Sequence, residues 1–376
     1  MKIALVHDYL SQDGGAERVL KAFAEIWPQA PIFVLFHDKK KIVYFDKENI
    51  QQSFLNYLPF NKRLFQWYLP LMPLATEKHN LNNFDVVLSS TSSFAKGVLT
   101  RPETLHISYC HTPPRFLWTD THEYLDHIKL RIIVKTFFPR LIHKLRMWDK
   151  MSVDRVDHFI ANSFTVQKRI SKYYRRDSEV IHPPVDTEKF KTAKMIDRYF
   201  LTGGRLVGYK RLDIVIKAFN RLRWPLKIFG IGPELKKLKK MAKSNIEFLE
   251  KIDENTKIDL LSKAQAFIHP QLEDFGITPL ESMACGRPVI AYGAGGATET
   301  VIDNKTGIFF NKQTVEHLIR ALINFNAYKW DSQYIQDQAK NFDHYKFKHT
   351  IRNCVENRYE EFERGLKQPS LLSNEI

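Results

Sequence analysis

Residues 273–301 read EDFGITPLESMACGRPVIAYGAGGATETV and follow the run Phe267–Pro270 after Gln271 and Leu272. That run reads as a strand end. A helix is expected to open at Thr278-Pro279, because proline in a first helical turn gives up an N–H that has no partner there anyway. Glu273 then lies in the loop beyond the strand's carboxyl end, and Glu281 in the first helical turn. In open α/β sheets the crevice at those carboxyl ends receives ligands. Backbone N–H groups of Thr278 and Leu280, with those of their neighbours Phe275, Gly276 and Ile277, are expected to face an anion there, favoured by the helix dipole. Two carboxylates flanking such a helix start suit a ligand with hydroxyls on both sides of a diphosphate. A nucleotide sugar has that shape.

Outward from this stretch, short β-rich runs alternate with longer helical patterns along the whole chain, the mark of βαβ units and parallel sheets. The expected strands of the first half are Lys2–Val6, Ile32–Phe36, Phe84–Leu88, Leu105–Tyr109, His158–Ala161 and Glu179–Ile181. The rhythm restarts with Tyr199–Thr202, Leu226–Phe229, Ile246–Leu249, Ala266–His269, Pro288–Ala291 and Gly307–Phe310. Helices are expected over Ala16–Ile26, Thr165–Tyr174 and Leu212–Leu222. His182-Pro183-Pro184 interrupts regular structure and marks the join. We expect an N-terminal domain over 1–183, a C-terminal domain over 184–342, and a terminal segment 343–376. That segment reads as helix without a strand of its own, so it must dock on another body.

Three further segments carry candidate chemistry. Gly203-Gly204-Arg205-Leu206-Val207-Gly208-Tyr209-Lys210-Arg211 precedes a helix. A departing nucleoside diphosphate gains negative charge, and fixed cations such as Arg205 and Lys210 lower that barrier; the alternative is a basic turn with solvated side chains. Gly14-Gly15-Ala16-Glu17-Arg18 opens the first helix, where glycines let backbone approach a ligand. Asp13 before it is either an acceptor-side base or a turn residue. Tyr109-Cys110-His111-Thr112-Pro113-Pro114-Arg115-Phe116-Leu117-Trp118 sets His111 at a strand's carboxyl end, as a site residue or a structural one.

The E-x7-E pair, with Gly286-Arg287-Pro288-Val289-Ile290, Gly295-Gly296-Ala297-Thr298-Glu299-Thr300-Val301 and Thr306-Gly307 behind it, resembles the signature of family-4 retaining glycosyltransferases of GT-B fold. That resemblance implies two Rossmann-like domains facing a central cleft, with the C-terminal helix returning to the N-domain. It assigns Glu273 to the transferred hexose, Glu281 to the ribose hydroxyls, Arg205 and Lys210 to the diphosphate, Gly14 and Gly15 to a loop over the diphosphate, and His111 to the donor sugar. Backbone around Lys251-Ile252 would hold the base. Transfer would retain the anomeric configuration, the donor's own phosphate oxygen taking the acceptor's proton. The H-T-P-P-R-F-L-W wording is similar to that of bacterial mannosyltransferases of surface-polysaccharide assembly, which implies GDP-mannose as donor and a glycan or polyprenyl-diphosphate-linked acceptor. A nucleotide-sugar epimerase of the same fold, or a basic lipid- or nucleic-acid-binding module with a degenerate site, are the competing readings.

Composition sets limits. With 376 residues, 44% hydrophobic and 26% charged, the chain can build two ordinary globular cores. Cys110, Cys285 and Cys354 are too few and too scattered for a disulfide framework or a zinc site, and fit a reducing cytoplasm; MKIALVHDYL lacks a signal-peptide pattern. No Asp-x-Asp is present, so no metal or other cofactor is expected. The formal charge of +15 attracts anions. Between His127 and Lys150 stand Lys129, Arg131, Lys135, Arg140, Lys144, Arg146 and Lys150 against Asp149 alone. Together with the aromatic, proline-interrupted segment Phe54–Leu81, this run could lay Trp67, Tyr68 and Trp148 against an anionic membrane, or could be ordinary core and solvated face. Nucleic acid is not expected, since no binding motif accompanies the charge.

Overall fold

The computed structural model describes residues 1–11, 14–39, 42, 45, 49–58, 65–121 and 132–367. The chain forms two compact units, one of residues 1–182 with 347–376 and the other of residues 183–346.

The first unit holds a seven-stranded sheet in the order β3-β2-β1-β4-β5-β6-β7. Its strands are β1 (Ile3–His7), β2 (Ile32–Val34), β3 (Ile50–Gln52), β4 (Val86–Thr91), β5 (Leu105–Cys110), β6 (His158–Ala161) and β7 (Glu179–Val180). All neighbours pair parallel. The second unit holds a six-stranded parallel sheet, β10-β9-β8-β11-β12-β13. These strands are β8 (Phe200–Gly203), β9 (Leu226–Phe229), β10 (Ile246–Glu250), β11 (Phe267–His269), β12 (Val289–Tyr292) and β13 (Gly307–Phe310). Both sheets are Rossmann-like, and every strand expected from the sequence is present. β3 was not foreseen: its IQQ is short, polar and partly exposed, as an edge strand can be. β4 runs on through Ser89, Ser90 and Thr91, past the expected end at Leu88. Polar residues are tolerated in that buried strand because Ser89 bonds His106 at 2.9 Å and Ser90 bonds His111 at 2.8 Å.

The terminal helix His344–Lys367 belongs to the first unit from Phe347 onward. Phe347, Ile351, Cys354 and Val355 share one face, the i, i+4, i+7, i+8 stripe of an amphipathic helix. Phe347 stacks on Phe23 at 6.0 Å and meets Tyr109 edge-on at 6.0 Å. Such ring pairs add about 0.5–1.5 kcal/mol each beyond the buried area.

The basic aromatic segments are in part core. Leu55, Leu69, Met72 and Ala75 pack against Ile142 and Leu145 of the helix Ile132–Met151. Trp148 is corrected from a membrane-facing residue: its ring packs on Phe94, and its Nε1 donates to Glu77 at 2.8 Å. Asp149 is buried in an ion pair with Lys96 and accepts from Trp118 Nε1 at 2.8 Å. Trp67 is 63% exposed and Tyr57 80%. Asp13, Lys129 and Arg131 lie outside the described residues. Among the described residues, no helix is long and apolar enough to cross a membrane.

Candidate functional site

In the second unit the strand order reverses between β8 and β11. Loops leaving two such strands part to opposite faces of the sheet and leave a crevice at their carboxyl ends. The β8 loop carries Lys210 and the β11 loop carries Glu273, and the two meet: Nζ lies 2.6 Å from Oε1, with only 13% and 19% of the side chains exposed. Nε2 of His269, the last residue of β11, is 3.8 Å from the other carboxylate oxygen. Burial by itself would push the Glu273 carboxyl up. The Lys210 ammonium, His269 and hydrogen bonds from Lys210 and Gln271 outweigh it and hold the group at about 2. For Lys210, burial pulls downward and Glu273 reverses the effect, so the ammonium is held above its ordinary value. Burial lowers His269 to about 4, leaving a neutral imidazole beside the acid. Arg205, on the same loop as Lys210, is exposed and close enough to act on the Lys210 charge.

Glycine makes this crowding possible. Gly276 has φ +94°, and a Cβ there would stand 3.3 Å from His269 Nε2 and 3.5 Å from the Glu273 carboxylate. Gly296 donates its N–H to the Glu273 carbonyl at 2.9 Å; a Cβ on it would come within 2.2 Å of the Phe275 Cα. The Gly295-Gly296 turn therefore clamps the backbone of the acidic loop.

The helix after this loop spans Ile277–Ala284, one residue earlier than expected. Pro279 is its third residue, and Glu281 falls just past the first turn rather than within it. The first-turn N–H groups, which lack intrahelical partners, belong to Ile277, Thr278 and Leu280, since Pro279 has none. Side chains of Phe275 and Leu280 are 3% and 0% exposed in the core, so these two can offer a ligand only backbone. Ile252 also packs, half-buried, against that core. Glu281 is 2% exposed and pairs with Lys257 Nζ at 2.8 Å. Lys257, on the helix Glu254–Lys263, escaped the sequence reading because a lone lysine on a polar helix face carries no signal. His269 and Gln271 lie just before Glu273 in the sequence and were open to recognition as its neighbours.

The first unit has its own reversal, between β1 and β4. Asp8, just past β1, accepts from the N–H groups of Ser92, Phe94 and Ala95 at 2.6–2.7 Å and fastens the β1 loop to the β4 loop. His7 Nδ1 and His111 Nε2 both meet the Ser90 hydroxyl, at 3.1 and 2.8 Å. Burial first, and the neighbouring His7 second, lower His111 to about 3. It can offer a hydrogen bond at neutral pH but no positive charge. Gly14 caps the helix Gly15–Ile26, and Gly15 is exposed at its start. Glu17 is 2% exposed and leans over Gly14, where a Cβ would sit 2.9 Å from its carboxylate. A carboxylate of the chain thus already answers that helix start.

The comparisons with known proteins agree with this architecture. Residues 185–342 match the family described as glycosyl transferases group 1, and residues 13–189 match glycosyltransferase family 4. An uncharacterized glycosyltransferase of Methanocaldococcus jannaschii is 23% identical over 368 residues, 92% of this chain and 90% of the relative. The O-antigen chain mannosyltransferase of Salmonella typhimurium is 30% identical over 201 residues, 48% of this chain and 56% of that protein. The chain thus spans about half the length of that mannosyltransferase. In fold it is similar to Anabaena HepE, solved in complex with UDP, with a TM-score of 0.71 at 17% identity over 95% of this chain and 100% of that one. The chain belongs to the group 1, family-4 glycosyltransferases of GT-B fold.

Proposed function

We propose that this family-4 glycosyltransferase moves mannose from GDP-mannose to a hydroxyl of a glycan or polyprenyl-diphosphate-linked acceptor, retaining the anomeric configuration and using no metal. The observation that carries the reading is the Lys210–Glu273 pair at the β8/β11 reversal, beside the open start of the helix Ile277–Ala284. In this reading Glu273 accepts hydrogen bonds from the sugar hydroxyls, and its low pKa keeps it an acceptor at any physiological pH. Lys210 and Arg205 meet the diphosphate as its charge grows, supported by the N–H groups of Ile277, Thr278 and Leu280. Glu281 takes the ribose hydroxyls and backbone near Ile252 the base, while Gly14, Gly15 and His111 are the first unit's candidate substrate contacts. No side chain acts as a nucleophile. Mannose is favoured by the Salmonella relative and by the segment around His111, whereas HepE was solved with UDP. Calorimetry with GDP, UDP and ADP on the wild type and Glu281→Ala is the test. Tightest binding of GDP, lost in the variant, is expected; preference for UDP overturns the donor, and unchanged binding by Glu281→Ala overturns the site.

For the acceptor, an anionic membrane surface is the setting this reading favours. Tyr57, Trp67, Leu71 and Leu74 are exposed in the first unit, as are Arg140, Lys144, Met147 and Met151 along the helix Ile132–Met151. Aromatic and apolar groups beside cations suit a headgroup region. Sedimentation with anionic vesicles should fall with salt and with Trp67→Ala; no binding at low salt overturns it.

A further inference from the structure

The first unit contains a second cluster of reactive side chains, away from the β1 and β4 loops. His158 opens β6, Glu179 opens β7, and Cys354 lies on the terminal helix. Their ligand atoms all fall within 4.8 Å of one another. His158 Nε2 is 3.6 Å from Glu179 Oε2, and Cys354 Sγ is 3.5 Å from the same oxygen. The geometry points to a zinc-class site, in which His158, Glu179 and Cys354 bind one Zn(II) ion and pin the terminal helix to the β6–β7 edge.

Bond lengths support this. Zinc–nitrogen and zinc–oxygen bonds of about 2.0 Å and a zinc–sulfur bond of about 2.3 Å set tetrahedral ligands roughly 3.3–3.6 Å apart. Two of the three edges already have that length. His158 Nε2 is buried and has no hydrogen-bond partner, an arrangement that costs free energy unless something fills it. A cavity of about 340 Å³ lined by Glu179 and Cys354 leaves room for water as the fourth ligand. Arg358 Nη2 lies 3.9 Å from Glu179, beyond hydrogen-bond reach, and its guanidinium bonds Glu361 at 2.9 Å. The charges balance: Zn(II) displaces the thiol proton to solvent, and thiolate plus carboxylate cancel the metal's two charges, so Arg358 meets a neutral centre. The ligands come from positions 158, 179 and 354, so binding would stabilise the folded chain.

The test is titration of the untagged full chain with Co(II) and with Zn(II). We expect one equivalent bound, a thiolate-to-cobalt charge-transfer band, and a rise in Tm with Zn(II). Cys354→Ser should abolish the band, and His158→Gln should weaken binding at least about tenfold. Circular dichroism of each metal-free variant guards against simple unfolding, and the two substitutions give independent readings. Absence of stoichiometric binding to the wild type overturns the site. So does the same band in Cys354→Ser, or affinity indifferent to both substitutions. Because the readout needs no donor or acceptor, its failure leaves the transferase reading untouched, and the converse holds.

Discussion

Glu273 pairs one oxygen with Lys210 of its own chain and holds the other 3.8 Å from the His269 ring. A donor sugar must therefore share an acid that is already oriented, which is the economy of a preorganised site. Lys210→Met tests both halves of the pair. It removes the cation that would meet the leaving diphosphate, and kcat should fall by ~10²–10³. It also leaves Glu273 with its burial and without its main counter-charge, so the carboxyl should rise from about 2. In the wild type this carboxyl has a depressed pKa: its stabilising effect is present above the unfolded value and fades only as pH falls towards 2. In Lys210→Met that stabilising contribution should shrink as the folded pKa rises, and donor binding, which needs the carboxylate, should acquire an acid limb absent from the wild type. Calorimetric binding from pH 4 to 8 reads this; a flat profile in the variant contradicts the pairing. Glu273, Glu281, Arg205 and Lys210 were all legible in sequence because each sits in a motif whose glycines and prolines fix the turn. Lys257 was not, since its pairing with Glu281 depends on how two helices pack.

At the scale of elements, the loop from β11 into the helix Ile277–Ala284 is held by Gly276 in a left-handed conformation. Gly276→Ala should cost about 1–2 kcal/mol of backbone strain, and its Cβ would press on His269 and Glu273. Donor affinity should fall further than stability alone explains, a comparison for chemical denaturation beside calorimetry; equal loss in both would reduce Gly276 to a turn residue. The packing of the helix Glu254–Lys263 on the next helix is tested by Lys257. Lys257→Ala would take a cationic partner from a carboxylate that is 2% exposed and should destabilise, by at most the roughly 3–5 kcal/mol of breaking a buried pair. Adding Glu281→Gln should recover much of that in a double-mutant cycle, and additive losses would contradict the pairing. Strands were the readily legible elements: buried parallel strands carry continuous apolar runs, which β1, β12 and β13 show plainly. The edge strand β3 lacks that pressure, and β4 outran its apolar run because serine–histidine bonds replaced it.

For the molecule as a whole, the restart of the strand–helix rhythm after the two prolines announced two Rossmann-like sheets, each by the same local rule. What local rules do not reach is the return of the terminal helix, whose apolar stripe names a face to bury without naming the partner. The structure supplies it: Phe347, Ile351 and Val355 complete the core in which Phe23, Tyr109 and Ile107 lie. Ile351 is fully buried, and Ile351→Ala should cost about 2–5 kcal/mol, the spread reflecting how far the cavity collapses. The loss should fall on the unit that owns this core. Native-state hydrogen exchange would show opening free energies of β1 and β5 amides lowered by about that amount, with those of β8 and β12 unchanged. An equal drop in both sheets would mean that the helix serves the stability of the whole chain, not that of the sheet it covers.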